Sequence, residues 1–277
     1  MTLVFVVLAL GYMRGWLRSR TRPAQAVDAW RAVGFLLGLV LIWIAVASPF
    51  ASADAHSLTA HMVQHLVLMS VAPPLIWLAD PVRLLRYALP SRLTDSVVLR
   101  IARWQPIQRL GRLLGHPVVC WVAATIALGA WHVPALLTLS VQSSAWHAIE
   151  HASFLAGGLL FWWPVVQPWP SSSTARPWPI VLYLFLATLP CDVLSGFLVF
   201  SERIVYPTYL SAPRHLSVSA LDDQQRAGAL MWTAVTIIYL VAAVIVATRS
   251  LSRTSLRVDE RPALRVGSGL RTGLEPR

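Results

Sequence analysis

The sequence predicts an all-α, polytopic membrane protein: a bundle of seven transmembrane helices with the N-terminus outside and the C-terminus in the cytoplasm. Three observations support this fold class. Hydrophobic residues make up 56% of the 277-residue chain, and charged residues only 13%. The apolar residues form long runs with few charges, which is typical of helices that cross a bilayer. The arginines are concentrated in alternate connections between these runs, and this asymmetry predicts the orientation.

Seven apolar runs are candidates for crossing the roughly 30 Å hydrocarbon core of a bilayer. The first run is the shortest, because only Met1 to Met13 is free of charge. Arg14 and Arg18 must then extend their side chains to the interface if this run spans the membrane. The predicted spans are 2–17, 30–48, 59–79, 118–140, 146–166, 178–200 and 227–248.

The positions of the arginines predict which side of the membrane each connection faces. Arginines cluster between residues 14 and 31, between residues 83 and 112, and from residue 249 onward. The alternate connections keep only Arg203, Arg214 and Arg226. Arginine-rich connections stay in the cytoplasm, so the N-terminus is expected outside. The net charge of +11 therefore indicates membrane orientation and not a nucleic-acid partner.

The remaining segments complete a predicted transmembrane domain over 1–250. Its 80–117 connection mixes apolar residues with arginines and is expected to form amphipathic helices on the cytoplasmic membrane surface. Residues 251–277 are predicted to form an Arg-rich, disordered cytoplasmic tail attracted to anionic lipid. Cys120 and Cys191 lie in apolar runs and form no CxxC motif, which argues against a disulfide framework or a thiolate metal site. No cleavable signal peptide is expected, because the N-terminus lacks a basic region and an AxA-like site.

Two histidine pairs are the strongest candidate functional feature. His61 and His65 in HMVQH, and His147 and His151 in HAIEH, have the i, i+4 spacing that places both imidazoles on one side of a helix. Given the predicted orientation, both pairs and His132 fall in the outer half of the membrane. Neutral imidazole is a common ligand of copper, zinc and haem iron, so these five histidines are the candidate metal ligands. A proton relay and a structural polar network are the alternatives.

Other polar and sulfur-containing side chains are expected to support or gate this site. Glu150 shares a helix face with the second pair and could orient an imidazole. Asp192 is a carboxylate deep in the sixth span, where an ionisable group indicates function. The thioethers of Met62 and Met231 suit Cu(I), although methionine in an apolar helix is usually a packing residue. Broken helices are expected at Pro134 and Pro190, and a distortion of the third span is expected at Pro73 and Pro74.

Three blocks of the sequence read SPF…HSLTAHMVQHLVLMSVAPPLIWLADP, WHVPALLTLSVQSSAWHAIEHASFLAGGLLFWWPV and DDQQRAGALMW. They resemble the CtaG family of caa3-type cytochrome c oxidase assembly factors, and the resemblance runs over roughly residues 10–250. It implies a polytopic bacterial membrane protein linked to forming the copper centre of the oxidase's catalytic subunit. It also adds Asp223 to the supporting or gating residues. The short first span departs from the family pattern. The residues carried over are His61, Met62, Gln64, His65, Trp131, His132, Pro134, His147, Glu150, His151, Asp223, Gln224, Gly228, Met231 and Trp232.

We therefore expect a non-enzymatic assembly factor that handles or delivers copper for the oxidase through an outward-facing histidine cluster. The expected location is the bacterial cytoplasmic membrane. The expected partners are oxidase subunits, membrane lipid and an extracytoplasmic copper donor. The alternatives are a haem-binding, cytochrome b-type redox protein with His65 and His151 as axial ligands, a metal or proton transporter that uses Asp192, and a scaffold that docks oxidase subunits. The metal hypotheses require the helices that carry the two histidine pairs to be neighbours.

Overall fold

The computed structural model is helical, with no strand among the residues it describes. Those residues are 2–21, 27–49, 56–89, 100, 104–166, 177–210 and 218–267, with the side chains of 177 and 250–267 excepted. The helices are α1 (Thr2–Arg20), α2 (Ala29–Ala47), α3 (Leu58–Leu66), α4 (Ala72–Leu78), α5 (Pro81–Ala88), α6 (Gln105–Leu114), α7 (Pro117–Trp131), α8 (Pro134–Gln142), α9 (Ser144–Val166), α10 (Pro177–Phe200) and α11 (Ala220–Gly267), with a π-helical segment at Val67–Val71 and a 3₁₀ turn at Pro207–Tyr209.

Five helical stretches are long and apolar enough to cross a membrane, which confirms the coarse prediction of an all-helical, multi-pass protein. A sixth candidate is the pair α6 and α7, which are bent by 68° at their junction. α1 forms where the first span is predicted, but it is not among the five, because three arginines reduce the apolarity of its second half. The five stretches are Ala29–Ala47, Leu58–Leu78, Ser144–Val166, Trp178–Phe200 and Ala220–Arg249.

Pro134 interrupts the fourth predicted span, which confirms the helix break expected at this proline. α7 ends at Trp131, and α8 begins at Pro134. Val133 has φ −67° and ψ 125°, the extended conformation that a residue before proline prefers. The break places His132 at a helix end. The helix break expected at Pro190 is wrong, because Pro190 lies inside the continuous α10.

The third span is irregular where it meets α9. The carbonyl of Met69 would normally accept a hydrogen bond from the N–H four or five residues later, but both positions are prolines, Pro73 and Pro74. The Nε1–H of Trp162 donates to this carbonyl instead, at 3.1 Å. A Cβ at Gly158 would lie 2.7 Å from the same oxygen, so only glycine allows α9 to approach this closely.

Two hydrophobic clusters hold the helices together among the described residues. The larger is shared by α2, the third span and α7 to α11 and includes Phe161, Tyr183 and Tyr239. The smaller joins α1, α2 and α5. In it the ring of Tyr12 stacks on that of Phe35 at 3.9 Å, and the Tyr12 hydroxyl donates to the carbonyl of Ala79 at 2.9 Å.

The predicted amphipathic connection contains two helices among its described residues, α5 and α6. α5 packs on α1, where a Cβ at Gly15 would clash with the carbonyl of Leu84. α6 has no buried residue. Residues 90–99 and 101–103 of this connection and 268–277 of the tail lie outside the described part. α11 continues past residue 250 as far as Gly267, and the domain boundary and the disorder of the tail stay predictions.

Candidate metal centre

A buried carboxylate joins the two helices that carry the histidine pairs. The Oε1 atom of Glu150 on α9 lies 3.2 Å from Nε2 of His61 and 3.2 Å from Nε2 of His65, both on α3. The three side chains offer ligand atoms within 4.8 Å of one another. They are 0% (His61), 4% (His65) and 0% (Glu150) exposed, so the cluster is shielded from its surroundings. Two imidazoles and one carboxylate are a common donor set for a divalent transition metal.

The second histidine pair lies directly beside the first. The ring centroids of His61 and His147 are 5.8 Å apart, and those of His65 and His151 are 6.3 Å apart. Nε2 of His151 lies 3.1 Å from Oε1 of Gln64, which sits on α3 between the histidines of the first pair. The helices that carry the two pairs are therefore neighbours, as the metal hypotheses require. His147 is half-buried and lies at the edge of the cluster.

His132 adds a fifth imidazole, and its surroundings determine its neutral tautomer. Its Nδ1 lies 2.7 Å from the carbonyl oxygen of Leu128. A carbonyl can only accept, so in neutral His132 the proton is on Nδ1 and the lone pair is on Nε2. Nε2 is buried and has no hydrogen-bond partner among the described residues. The ring centroid is 6.0 Å from that of His65. The Tyr206 hydroxyl donates to the His132 carbonyl at 3.1 Å and holds the helix break in place.

Several buried polar atoms of the cluster and of the neighbouring His132 lack a hydrogen-bond partner in the described part of the chain. They include Nδ1 of His65, Nε2 of His132 and Oε2 of Glu150. Buried polar groups are normally paired, because an unsatisfied group costs about 1–3 kcal/mol. A bound cation would satisfy such lone pairs, so the residues present fit a metal ion.

Asp223 supports the first histidine pair from a distance, by capping the helix that carries it. Its carboxylate accepts hydrogen bonds from the N–H of Leu58 at 2.7 Å, the hydroxyl of Thr59 at 2.6 Å and the hydroxyl of Ser57 at 2.9 Å. These donors lie at the N-terminus of α3, where the N–H groups have no partner within the helix. Asp223, at the start of α11, thus fixes the end of α3 from which His61 projects one turn later.

The other predicted supporting residues lie in different surroundings. Met62 is 0% exposed and belongs to the larger hydrophobic cluster. Met231 lines a cavity next to His65 and His132. Asp192 is half-buried and is not among the residues that line this cavity, and its Oδ1 has no hydrogen-bond partner among the described residues.

Phe154 is a site residue that the sequence reasoning missed. Its ring stacks on that of His65 at a centroid distance of 3.9 Å and covers one face of the imidazole. The available signal is its spacing, because a residue four positions after Glu150 lies on the same helix face.

Comparison with known proteins identifies a family for this chain. Residues 10–253 match the family described as cytochrome c oxidase caa3 assembly factor, Caa3_CtaG. Two uncharacterized mycobacterial proteins, Mb0105 of Mycobacterium bovis and MT0111 of Mycobacterium tuberculosis, are each 24% identical over 262 residues, which is 92% of this chain. The chain spans only 39% of the length of these relatives. No solved structure matches the chain. The match over residues 10–253 shows that the chain belongs to the family of caa3-type cytochrome c oxidase assembly factors.

Proposed function

We propose that this protein handles copper during assembly of the caa3-type oxidase, by holding the ion at the cluster of His61, His65 and Glu150 for delivery to the copper centre of the oxidase. The observation that carries this proposal is the convergence of two imidazoles on one buried carboxylate oxygen, at 3.2 Å each. Membership of the assembly-factor family supplies the acceptor. The ion is cargo in this proposal and not a resident cofactor.

The chemistry of the donors supports copper as the ion. Sites of nitrogen and oxygen donors bind Cu²⁺ more strongly than the other divalent first-row metals, and imidazole also suits copper in its reduced state. Three further imidazoles lie next to the rings of His61 and His65, those of His147, His151 and His132. They are therefore available as ligands when the coordination of the ion changes. A cluster with spare ligands favours transfer, because an ion can exchange one ligand at a time.

The topology proposed with this function has seven spans, with α1 and the α7–α8 region added to the five long apolar stretches. The arginine distribution supports an N-terminus outside and a C-terminus in the cytoplasm. In that orientation α3 and α9 both enter from outside, and their histidines lie in the outer half of the bacterial cytoplasmic membrane. An extracytoplasmic copper donor and the oxidase subunits are then the proposed partners, and the protein performs no catalysis of its own.

The proposal is tested by metal analysis of the purified full chain together with oxidase assembly in cells. The double variant His65→Ala, His151→Ala is compared with wild type and with His116→Ala, which removes an exposed histidine outside the cluster. We expect wild type and His116→Ala to retain bound copper and to restore copper-loaded oxidase in cells that lack this protein. The double variant is expected to lose both.

Two results contradict the proposal. If wild type binds neither Cu(I) nor Cu(II) above background, the protein does not hold copper. If the double variant still supports copper-loaded oxidase at the wild-type level, the histidines form a structural network and the protein acts as a scaffold.

A further inference from the structure

A second group of metal-binding side chains surrounds a cavity next to the histidine–glutamate cluster. The cavity has a volume of about 40 Å³ and lies where the third span, α7, α9, α10 and α11 meet. This volume exceeds the roughly 10–15 Å³ that a single water needs, so an ion fits. Its lining includes the imidazoles of His65 and His132 and the sulfur-containing residues Met69, Cys191 and Met231.

The three sulfur-containing residues come from three different segments. Met69 belongs to the π-helical segment, Cys191 follows Pro190 on α10, and Met231 lies on α11. They are 9%, 3% and 3% exposed. Sγ of Cys191 lies 4.0 Å from the carbonyl oxygen of Met231, so the two helices bring these residues side by side. All three also belong to the larger hydrophobic cluster, so packing contributes to their burial, and their position around one cavity adds soft metal-binding atoms to its wall.

Two buried imidazole nitrogens on residues that line the cavity also point to a ligand. Nε2 of His132 and Nδ1 of His65 have no hydrogen-bond partner in the described part of the chain, and their side chains are 5% and 4% exposed. The bond from Nδ1 of His132 to Leu128 leaves the lone pair on Nε2, which is the form that ligates a metal. A dry, apolar cavity would not need these lone pairs.

We propose that this cavity is a separate binding site for a monovalent soft metal ion, held by Cys191, Met231 and Met69 together with Nε2 of His132. Thiol and thioether sulfur with imidazole favours Cu(I) over the divalent ions that suit the histidine–glutamate cluster. If Cys191 binds as the thiolate, the ion and its ligand are neutral together, which removes most of the cost of burying a charge. One thiol proton is then released to water for each ion bound.

The identity of the ion in cells, reduced copper, rests on the proposed copper-handling function. The existence of the binding site does not. His65 lines the cavity and also belongs to the cluster, so an ion in one site is next to the other. The cavity is therefore the expected position of reduced copper close to the cluster, deeper in the bundle.

The test is titration of the detergent-purified full chain with Ag(I), a redox-inert probe for soft monovalent sites. Cys191→Ser and Met231→Leu are each expected to weaken one equivalent of Ag(I) binding by at least ~100-fold, more than the roughly 10- to 100-fold typical of a lost outer-shell partner. Cys120→Ser is the matched control, because Cys120 is equally buried but lies outside the cavity lining. Met13→Leu is the matched control for methionine and lies in the smaller hydrophobic cluster.

X-ray absorption of the Ag(I)-loaded wild-type protein gives a second measurement that needs no variant. A shell of sulfur neighbours is expected. If the shell contains only nitrogen and oxygen, or if both cavity variants bind Ag(I) as tightly as their controls, the inference is overturned. Glu150→Gln separates the two proposals, because it is expected to weaken Cu(II) binding at the cluster and to leave Ag(I) binding in place. If Ag(I) still binds but copper is not delivered to the oxidase, the result contradicts the proposed function and leaves the second site in place.

Discussion

Nε2 of His61 lies 3.2 Å from Oε1 of Glu150, although 89 residues separate the two in the chain. The same oxygen lies equally close to His65, so one carboxylate holds two imidazoles of another helix. Burying a carboxylate costs free energy unless it is paired, here with the two imidazoles. Removing the carboxylate would leave the buried imidazoles without their hydrogen-bond acceptor.

Glu150→Gln is expected to weaken copper binding by at least tenfold. The amide keeps the volume of the side chain, but it lacks the negative charge that attracts a cation. Isothermal titration of the purified protein with Cu(II) measures the effect. His116→Ala serves as the control and should bind like wild type. Equal affinities of Glu150→Gln and wild type would show that the carboxylate only orients the helices.

Asp223→Ala is expected to lower the free energy of unfolding by about 1–2 kcal/mol, because it removes the carboxylate that accepts from the Leu58 N–H and the Ser57 hydroxyl at the start of α3. Thermal unfolding in detergent measures this. Asp222→Ala is the neighbouring control, since Asp222 is exposed and bonds to Ser219 of its own helix end. A loss as large in Asp222→Ala as in Asp223→Ala would place the effect in α11 and not in the cap of α3.

Gly158→Ala is expected to destabilise the bundle by about 1–3 kcal/mol, because the added Cβ would overlap the backbone of Met69. Gly129→Ala provides the comparison. Gly129 has no neighbour within 4 Å of an added Cβ, so alanine there is expected to be neutral or slightly stabilising. The shifts in melting temperature of the two variants relative to wild type, measured in the same detergent, are therefore expected to differ in sign or clearly in size. Equal stability would mean that α9 can move away from the π-helical segment without cost.

Asp192→Asn is expected to leave copper binding unchanged, because Asp192 is absent from the lining of the cavity. The transporter alternative requires the opposite. In proteoliposomes, metal or proton flux in wild type that disappears in Asp192→Asn would support a transporter in place of an assembly factor.

The purified protein is expected to show no Soret band. Phe154 covers one face of the His65 ring, and His151 contacts Gln64, so neither imidazole is placed as an axial ligand with an open side for a haem plane. A Soret band that disappears in His65→Ala would establish the haem alternative.

The helices themselves were predictable from local pattern. Apolar runs predicted the five stretches that are long and apolar enough to cross a membrane. The i, i+4 spacing grouped the histidines into two pairs, whose ring centroids lie 4.4 Å apart for His61 and His65 and 4.0 Å apart for His147 and His151. The break at Pro134 follows from the missing N–H of proline. The break expected at Pro190 was wrong, because α10 continues through this proline.

The sequence by itself determined the membrane class, the family and the residues with metal-binding chemistry, because composition, spacing and ordered motifs are properties of neighbouring residues along one chain. Only the tertiary structure decided that α3 and α9 are neighbours, that one Glu150 oxygen serves both His61 and His65, and that Asp223 caps α3. It also placed Cys191 beside Met231, a contact that no sequence motif indicates. These relationships depend on how closely helices approach, as at Gly158, and such contacts between distant residues leave no periodic signal in the sequence.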